Sequence, residues 1–583
     1  MSTNTDRPAA VAVLGNGPVG QTAALLLARW GVPVILLDDR PHRDPIGSKA
    51  ICQQRDVLDI WESVGVGHRV AREGLTWTTA RTFYRDHELF AYSLPDPGRS
   101  VFPPFVNISQ ARTESLLDER IRAHESIDVR WEHRVVAIDQ NDERVRIACE
   151  TPGGSVDVAV GYAVACAGAR GEDIRGMLGL SFDGHSFDDR FLICDIRAEL
   201  PGWADERRFY FDPEWNPGRQ VLIHPCPEST FRIDWQVPAD YDLAAEEQDG
   251  GLDARIRAII GDRSYEIVWK SVYRFHSRVV DRMRVGRVLI AGDCAHLVSP
   301  FGARGLNSGV ADAENAAWKL AYVLYGWAGD VLLDSYHDER HAAALENLEV
   351  TTATMDFLVP QTEDQRRRRL VALGRADADP SYRARVDSGR LAEPFWYVDS
   401  PLTTLDPARL FGGRPARGSS VPAGPGILVP DVPIAPVSES ALAAVRDAQC
   451  AMMSDGWPAL VSGAERGSAS GAPYTGTGMR LRAVARSGLL ILAGPKVDPV
   501  VLEQAAGAAA GPVRVVDLAE IDPGGTLTHA LGAGAGEVWV IRPDAHVAAV
   551  LDQPDTARLA AALRRALGAG MVEASKEVRF REE

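Results

Sequence analysis

Three stretches of this chain carry residue types at spacings that suit chemistry. The first is Gly15-Asn16-Gly17-Pro18-Val19-Gly20, with Asp38 placed 23 positions after Gly15 and Asp39 beside it. A glycine turn of this kind lets backbone approach a pyrophosphate and aims a helix N-terminus at its charge. An acid at the end of the next strand can accept hydrogen bonds from an adenosine ribose, and Asp38 and Asp39 compete for that role. The second stretch is Gly292-Asp293 and the run Pro300–Ser308, with glycines at 302 and 305. A carboxylate at a strand end can hold a hydroxyl, and glycine-bearing backbone can lie against a flat ring. The helix opening there offers free N–H groups around Gly305, Leu306 and Asn307 that stabilise negative charge. The third is a set of side chains in a β-rich stretch: Tyr210, His224, Trp235, Tyr273 and His276. Alternation along Arg232-Ile233-Asp234-Trp235 allows one parity alone to face a pocket.

The elements that position these residues follow from apolar periodicity. Val11–Leu14 is a strand, Gln21–Trp30 a helix closed by Gly31, and Val32–Leu37 a second strand ending at Asp38, which together make a βαβ unit. Residues 50–185 alternate helices (Cys52–Val64, Ala111–His124) with β segments (Asp128–Val136, Val145–Cys149, Val156–Cys166). Arg207–Phe211, Gln220–His224, Thr230–Val237 and Ile267–Phe275 read as a separate antiparallel sheet. Arg287–Ala291 returns to a core strand, and a long helix covers Ser308–Gly326. A proline- and glycine-rich segment crosses residues 392–436, after which strands at Gly488–Ala493, Val513–Val516 and Glu537–Ile541 and a helix at Thr556–Leu567 form a smaller α/β domain. The division expected is 1–185 and 281–395 for the two parts of the nucleotide-binding domain, 186–280 for the β-sheet substrate domain, 396–435 for the connector and 436–583 for the tail.

Composition narrows the function classes. The 583 residues are 45% hydrophobic and 25% charged, a globular balance with room for several domains. A net charge of −17 disfavours nucleic acid and anionic membrane surfaces as partners. The one basic cluster, Arg366–Arg369, reads as a solvated helix face. Apolar runs are too short to span a bilayer, and the N-terminus lacks a secretion pattern. Seven scattered cysteines without metal-ligand spacing suit a reducing cytoplasm.

The residues 287–320, with Gly292-Asp293, Pro300–Gly309 and Asp312, resemble the second flavin motif of the class A flavoprotein aromatic hydroxylases, the para-hydroxybenzoate and phenol hydroxylase superfamily. Gly47–Ile51, Asn107–Gln110, Phe191–Ile196 and Asp334–Tyr336 extend the likeness over residues 10–400, and the 3-(3-hydroxyphenyl)propionate hydroxylase type is the nearest in kind. The tail resembles the thioredoxin-like extension of many members; its lone cysteine, Cys450, excludes dithiol chemistry. The resemblance implies an α/β fold in which a Rossmann-like FAD-binding domain is interleaved with an antiparallel substrate sheet. It implies FAD held by Gly15, Gly17, Pro18, Val19, Gly20, Asp38 or Asp39, Lys49, Gln110, Asp293, Gly305, Leu306 and Asn307. NADPH or NADH would supply electrons, O₂ would add to the flavin as a C4a-hydroperoxide, and the Pro300 carbonyl would accept from a phenolic hydroxyl. Two departures stand out. Lys49 replaces an arginine, which loses a planar two-pronged donor, and Ala167 replaces the family's aspartate near the nicotinamide. His296 reads as a strand-end histidine bonded to backbone rather than as a base.

The function expected is therefore an FAD-dependent monooxygenase acting on a small phenolic or related aromatic molecule, with a homodimer left open. Two rivals remain: a Baeyer–Villiger or epoxidising enzyme on the same scaffold, and a flavin-binding partner protein without turnover.

Overall fold

The computed structural model describes residues 8–43, 47, 50–94, 100–414, 421–436 and 479–571. Lys49 and Cys450 lie outside the described residues. The chain opens on β1 (Val11–Leu14), four residues buried on both faces as a central parallel strand requires. Gly15, at φ +108°, turns it into α1 (Pro18–Arg29). Proline suits the first helical position, where its missing N–H would have no intrahelical partner. β1 pairs in parallel with β2 (Val34–Leu37) on one side and β3 (Tyr162–Ala165) on the other. The expected single segment Val156–Cys166 is broken at Gly161: its first half belongs to a separate antiparallel sheet and its second half is β3. Likewise Cys52–Gln54, expected as helix, is a strand paired with Phe105–Asn107, and the helix starts at Arg55.

A second, eight-stranded sheet is largely antiparallel. Its long members are β4 (Phe182–Ala198), β5 (Glu206–Phe211), β6 (Gln220–Cys226), β7 (Thr230–Val237) and β8 (Tyr265–Val280). The sequence boundary at 185 cuts through β4. The hairpin Thr79–Ser93 also adds two strands to this sheet, so it draws on more of the chain than residues 186–280. One face packs Leu192, Ile196, Val221, Ile233 and Trp235 against Leu252, Ile256 and Ile260 of helix α2 (Gly251–Ile260). The other face sets Phe191, Phe209, Phe211 and Leu222 against Phe301, Met355 and Leu358. Arg369, expected on a solvated helix face, is buried there with Nη1 donating to Leu358 O, whereas Arg366–Arg368 are exposed.

The chain then returns through β9 (Val288–Ile290), parallel to β3, to the helices α3 (Gly305–Leu324) and α4 (Asp334–Leu358). The meeting of α1, the turn after β9 and α3 is built on missing side chains. A Cβ at Gly309 would lie 2.6 Å from Val19 Cγ2 and 3.1 Å from Gly292 Cα. Only glycine permits that approach.

The tail forms a four-stranded sheet from β10 (Leu489–Ala493), β11 (Val513–Asp517), β12 (Glu537–Ile541) and β13 (Val547–Asp552), in the order β11-β10-β12-β13. The sequence pattern predicts three of these strands; β13 is the addition. Leu489, Ile491, Val538 and Val540 join the core of the first domain. Leu490, Leu492, Trp539 and Ile541 pack under connector residues Val429, Val432 and Ile434.

Gly309→Ala is expected to destabilise the protein by about 1–3 kcal/mol, the ordinary cost of overpacking, despite alanine's better helix propensity. Chemical denaturation checks this; an unchanged midpoint would show that α1 and α3 are free to part.

Candidate cofactor and substrate site

The glycine turn after β1 has one open position among three. A Cβ at Gly15 would strike Cys166 O at 2.4 Å and one at Gly20 would strike Gly15 O at 1.9 Å, whereas Gly17 has nothing within 4 Å. Gly15 and Gly20 thus serve packing, and Gly17 faces open space at the N-terminus of α1. That end has no side-chain cap, so its first N–H groups remain for a ligand. Asp38 stands at the end of β2. Burial alone would raise its carboxyl, but hydrogen bonds from Arg40 and from Asn16 N outweigh it and hold the group below its ordinary value. Asn16 N donates to Oδ2 at 2.7 Å, and Arg40 donates to both oxygens. Asp38 is buried and fixes the turn, while Asp39 beside it is exposed. Gln110 accepts from Ala50 N at 3.0 Å and donates to Glu114, which ties Ala50 to the helix that begins at Gln110.

The second half of the site is the turn Gly292–Cys294 and the start of α3. Asp293 is exposed, and its Oδ1 lies 3.9 Å from where a Gly305 Cβ would sit. The carboxylate and the helix N-terminus therefore occupy one place. Arg304 at the N-cap position makes no capping bond, so the N–H groups of Gly305, Leu306 and Asn307 are presented outward. Asn307 fixes this end through its side chain, donating to Cys52 O at 3.0 Å and accepting from Gln54 N at 3.0 Å. Pro300 is exposed, and its carbonyl accepts from Ala303 N at 2.9 Å in a turn, with a second lone pair left over.

A carboxylate that the sequence left unassigned sets this turn. Asp312, wholly buried, accepts from Gly292 N at 2.9 Å, from Arg340 Nε at 2.7 Å, and pairs with His296 Nε2 at 2.8 Å. Burial would raise its carboxyl; Arg340, His296 and the Gly292 N–H hold it down to about 2. His296 is thus bonded to a carboxylate rather than to backbone. The signal was available: Asp312 falls on the inward, apolar face of a helix, where an acid requires partners.

Ala167 follows β3 and borders both halves, 3.1 Å (Cα) from a Cβ placed on Gly15 and 3.3 Å (Cβ) from one placed on Gly171. Its neighbour Cys294 is pushed up to about 11 by burial. The substrate-face candidates divide by parity. Tyr210 and Trp235 lie with the cluster that packs on α2, and the Tyr210 ring stacks on Phe83 at 4.5 Å. His224 and Tyr273 occupy the other parity: His224 pairs in register with Arg232, and Tyr273 with Phe191. Phe191 meets Phe301 of the Pro300 loop with ring centroids 5.3 Å apart, so this face looks toward the second turn.

The model of the FAD binding domain family matches residues 8–351. The chain belongs to this family. A flavin-dependent monooxygenase of Mycobacteroides abscessus is 31% identical over 360 residues, covering 59% of this chain and 73% of that one. A 3-(3-hydroxy-phenyl)propionate/3-hydroxycinnamic acid hydroxylase of Mycolicibacterium gilvum is 30% identical over 387 residues, covering 64% of this chain and 65% of its own, just under two thirds. In three dimensions the chain resembles the flavin-dependent monooxygenase PieE, solved with FAD and substrate, at TM-score 0.77 and 22% identity over 96% of this chain and 99% of that one. That likeness extends the shared fold through the tail. Among the described residues no helix is long and apolar enough to cross a membrane.

The open space at Gly17, the uncapped helix starts and Asp293 fit FAD. Gly17→Ala and Asp293→Ala are each expected to fold normally and to weaken FAD by about 1–3 kcal/mol, read by flavin titration of apoprotein. Full affinity in both would place the cofactor elsewhere. Asp312 also sets a pH dependence. Its folded value near 2 lies below the ordinary value of 3.8, so its stabilisation is complete above about pH 4 and is lost as pH falls toward 2. Unfolding free energies measured across that window should lose roughly 2 kcal/mol to this group, and Asp312→Asn should flatten that part of the curve.

Proposed function

We propose that this protein is an FAD-dependent monooxygenase that hydroxylates a phenolic or related aromatic substrate with NAD(P)H and O₂. The observation that carries the reading is the convergence of two glycine-built turns, each with an uncapped helix start, beneath a sheet face that combines aromatic rings with half-buried polar groups. When bound, FAD supplies the redox chemistry, taking electrons from the nicotinamide and activating O₂. The chain supplies the rest. Gly17, Val19 and Gly20 offer backbone N–H groups to the pyrophosphate, Gly15 and Pro18 shape the turn that presents them, Asp38 holds that turn, and Asp39 stands at the ribose. Asp293 and Gln110 hold hydroxyls of the flavin's side chain. Gly305, Leu306 and Asn307 favour the negative charge of a reduced ring, and the Pro300 carbonyl accepts a hydrogen bond from the substrate hydroxyl. The sheet of aromatic side chains excludes water from the reacting atoms.

The tail's strand order, with β10 and β11 parallel and β12 and β13 antiparallel, supports the thioredoxin-like reading. The buried thiols Cys52, Cys149, Cys166, Cys194, Cys226 and Cys294 are unpaired, which supports a reducing, cytoplasmic setting.

The test is incubation with NADPH or NADH, ¹⁸O₂ and a panel of phenols and ketones, followed by product mass analysis. Label in a phenol ring supports hydroxylation. Label in a lactone or ester would make this a Baeyer–Villiger enzyme, and failure of either nicotinamide to bleach the flavin would make it a non-catalytic flavoprotein.

Ala167→Asp is expected to speed flavin reduction without changing the product, because it restores a carboxylate at a strand end where small errors of orientation are costly in rate. Single-turnover reduction and FAD dissociation constants check this. Slower reduction with weaker FAD would show that the loop has been rebuilt around alanine.

A further inference from the structure

We propose that Asp234, next to a polar row on the inner face of the sheet, takes the proton of the substrate's phenolic hydroxyl, with His224 diagonal to it as an uncharged partner for the same group. This rests on the hydroxylase reading above and names the residue that prepares the ring; the hydroxyl carries one proton, so Asp234 takes over the acceptor role given there to the Pro300 carbonyl.

Register places the row. His224 on β6 pairs with Arg232 on β7, and Arg232 pairs with Asp195 on β4. One step along, Phe209 pairs with Leu222, Leu222 with Asp234, and Asp234 with Ile193. His224 and Asp234 are therefore diagonal neighbours on one face, within reach of a shared small group. Phe209 lies in the same row as Asp234, two strands away, so roughly 10 Å separates them at the usual strand spacing. The Phe209 ring is 6.1 Å from that of Phe301 in the Pro300 loop, so Asp234 shares the sheet face that meets this loop.

Both side chains are half-buried, and both present a shielded atom without a partner. Asp234 Oδ1 and His224 Nδ1 are closed to solvent and make no hydrogen bond. A buried polar atom left so is costly unless a ligand completes it. Arg232 is gripped by Asp195 through two bonds, Nε at 2.8 Å and Nη2 at 3.0 Å, and Arg207 donates to Ser388 O at 3.2 Å. With Asp234 ionised, the two arginines and two aspartates cancel. A neutral hydroxyl donor completes this set, whereas a carboxylate at the same place would meet Asp234 with no cation to spare. The substrate end read here is thus a phenolic hydroxyl without an adjacent acid group.

The titration agrees with the geometry. Burial pushes the Asp234 carboxyl up to about 7, against the pull of Arg232 and Arg207 and aided by Asp195. A carboxylate of that basicity is a far better acceptor for a phenol than an ordinary one. Burial, with Arg207 and Arg232, holds His224 well below its usual range, so its ring is neutral. In the step, the substrate O–H bond breaks and its electron pair stays on the phenolate oxygen. The proton forms the O–H of Asp234 and returns when the product regains its hydroxyl. Phenolate raises electron density at the ortho and para carbons, where oxygen is received.

The experiment uses the FAD-loaded full chain and 4-nitrophenol, whose anion is coloured, with wild type and Asp234→Asn compared at equal FAD affinity. A wild-type complex that holds one shared proton should lose about tenfold in affinity per unit above pH 7. Asp234→Asn, which can receive the anion, should hold its affinity there. With resorcinol, wild-type kcat/KM should rise through pH 7, and the variant should lose that limb and fall on the order of 100-fold. Asp234→Ser gives the same readings should the amide disturb the row. Matching pH dependences in wild type and variants would overturn the inference alone. A wild type that neither binds 4-nitrophenol nor consumes any phenol would overturn the hydroxylase reading, and this inference with it.

Discussion

Much of this architecture hangs on one buried carboxylate. Asp312 gathers the Gly292 N–H, His296 and Arg340 around itself where no water reaches. Its charge is held by partners from three elements: the turn after β9, the short strand that follows it, and α4. Losing one partner would leave charge stranded in a low-dielectric interior, which is far more expensive than never having placed it there. The second cofactor turn is therefore defined by electrostatic necessity, and the glycine contacts at Val19, Gly292 and Gly309 define it again by shape.

From Asp312 the polar network runs outward. Arg340 also donates to the hydroxyl of Tyr397 in the connector at 3.1 Å, and Asn315 bridges Tyr397 to Glu339. Glu339 takes Lys319 on one side and Arg542 of the tail on the other, and Arg542 is in turn held by Asp544. A second set joins Arg486 to Asp59 and Glu314. These groups are buried and mutually compensated, so they fix register between domains more than they add stability.

The sequence made the first cofactor turn legible because its signals are local: apolar strand, glycines, apolar helix, acid. The second was legible through its resemblance to a known motif. What escaped depends on distant pairing. The hairpin at residues 79–93 pairs with Glu206–Phe211, over a hundred residues later, and β4 passes through the expected boundary at 185. Parity was stated but unresolved until packing on α2 chose the face, which sent Tyr210 and Trp235 to the core and left His224 and Tyr273 facing inward. Arg340 and Asp234 carry no spacing signature, and Asp312 shows one only as an acid on an apolar helix face, because their partners come from separate elements.

The chain of hydrogen bonds and ion pairs from Gly292 to Arg542 makes the tail part of a single cooperative unit rather than an appendage. By linkage, anything that stabilises the turn at Gly292 also raises the free energy needed to open the tail, and a disturbance of the tail is returned to that turn. Amide hydrogens of β12 and β13, far from any cofactor atom, would then exchange more slowly when the flavin site is filled. A domain without redox cysteines in its described part would in this way act as a strut, setting how readily the cofactor turn loosens.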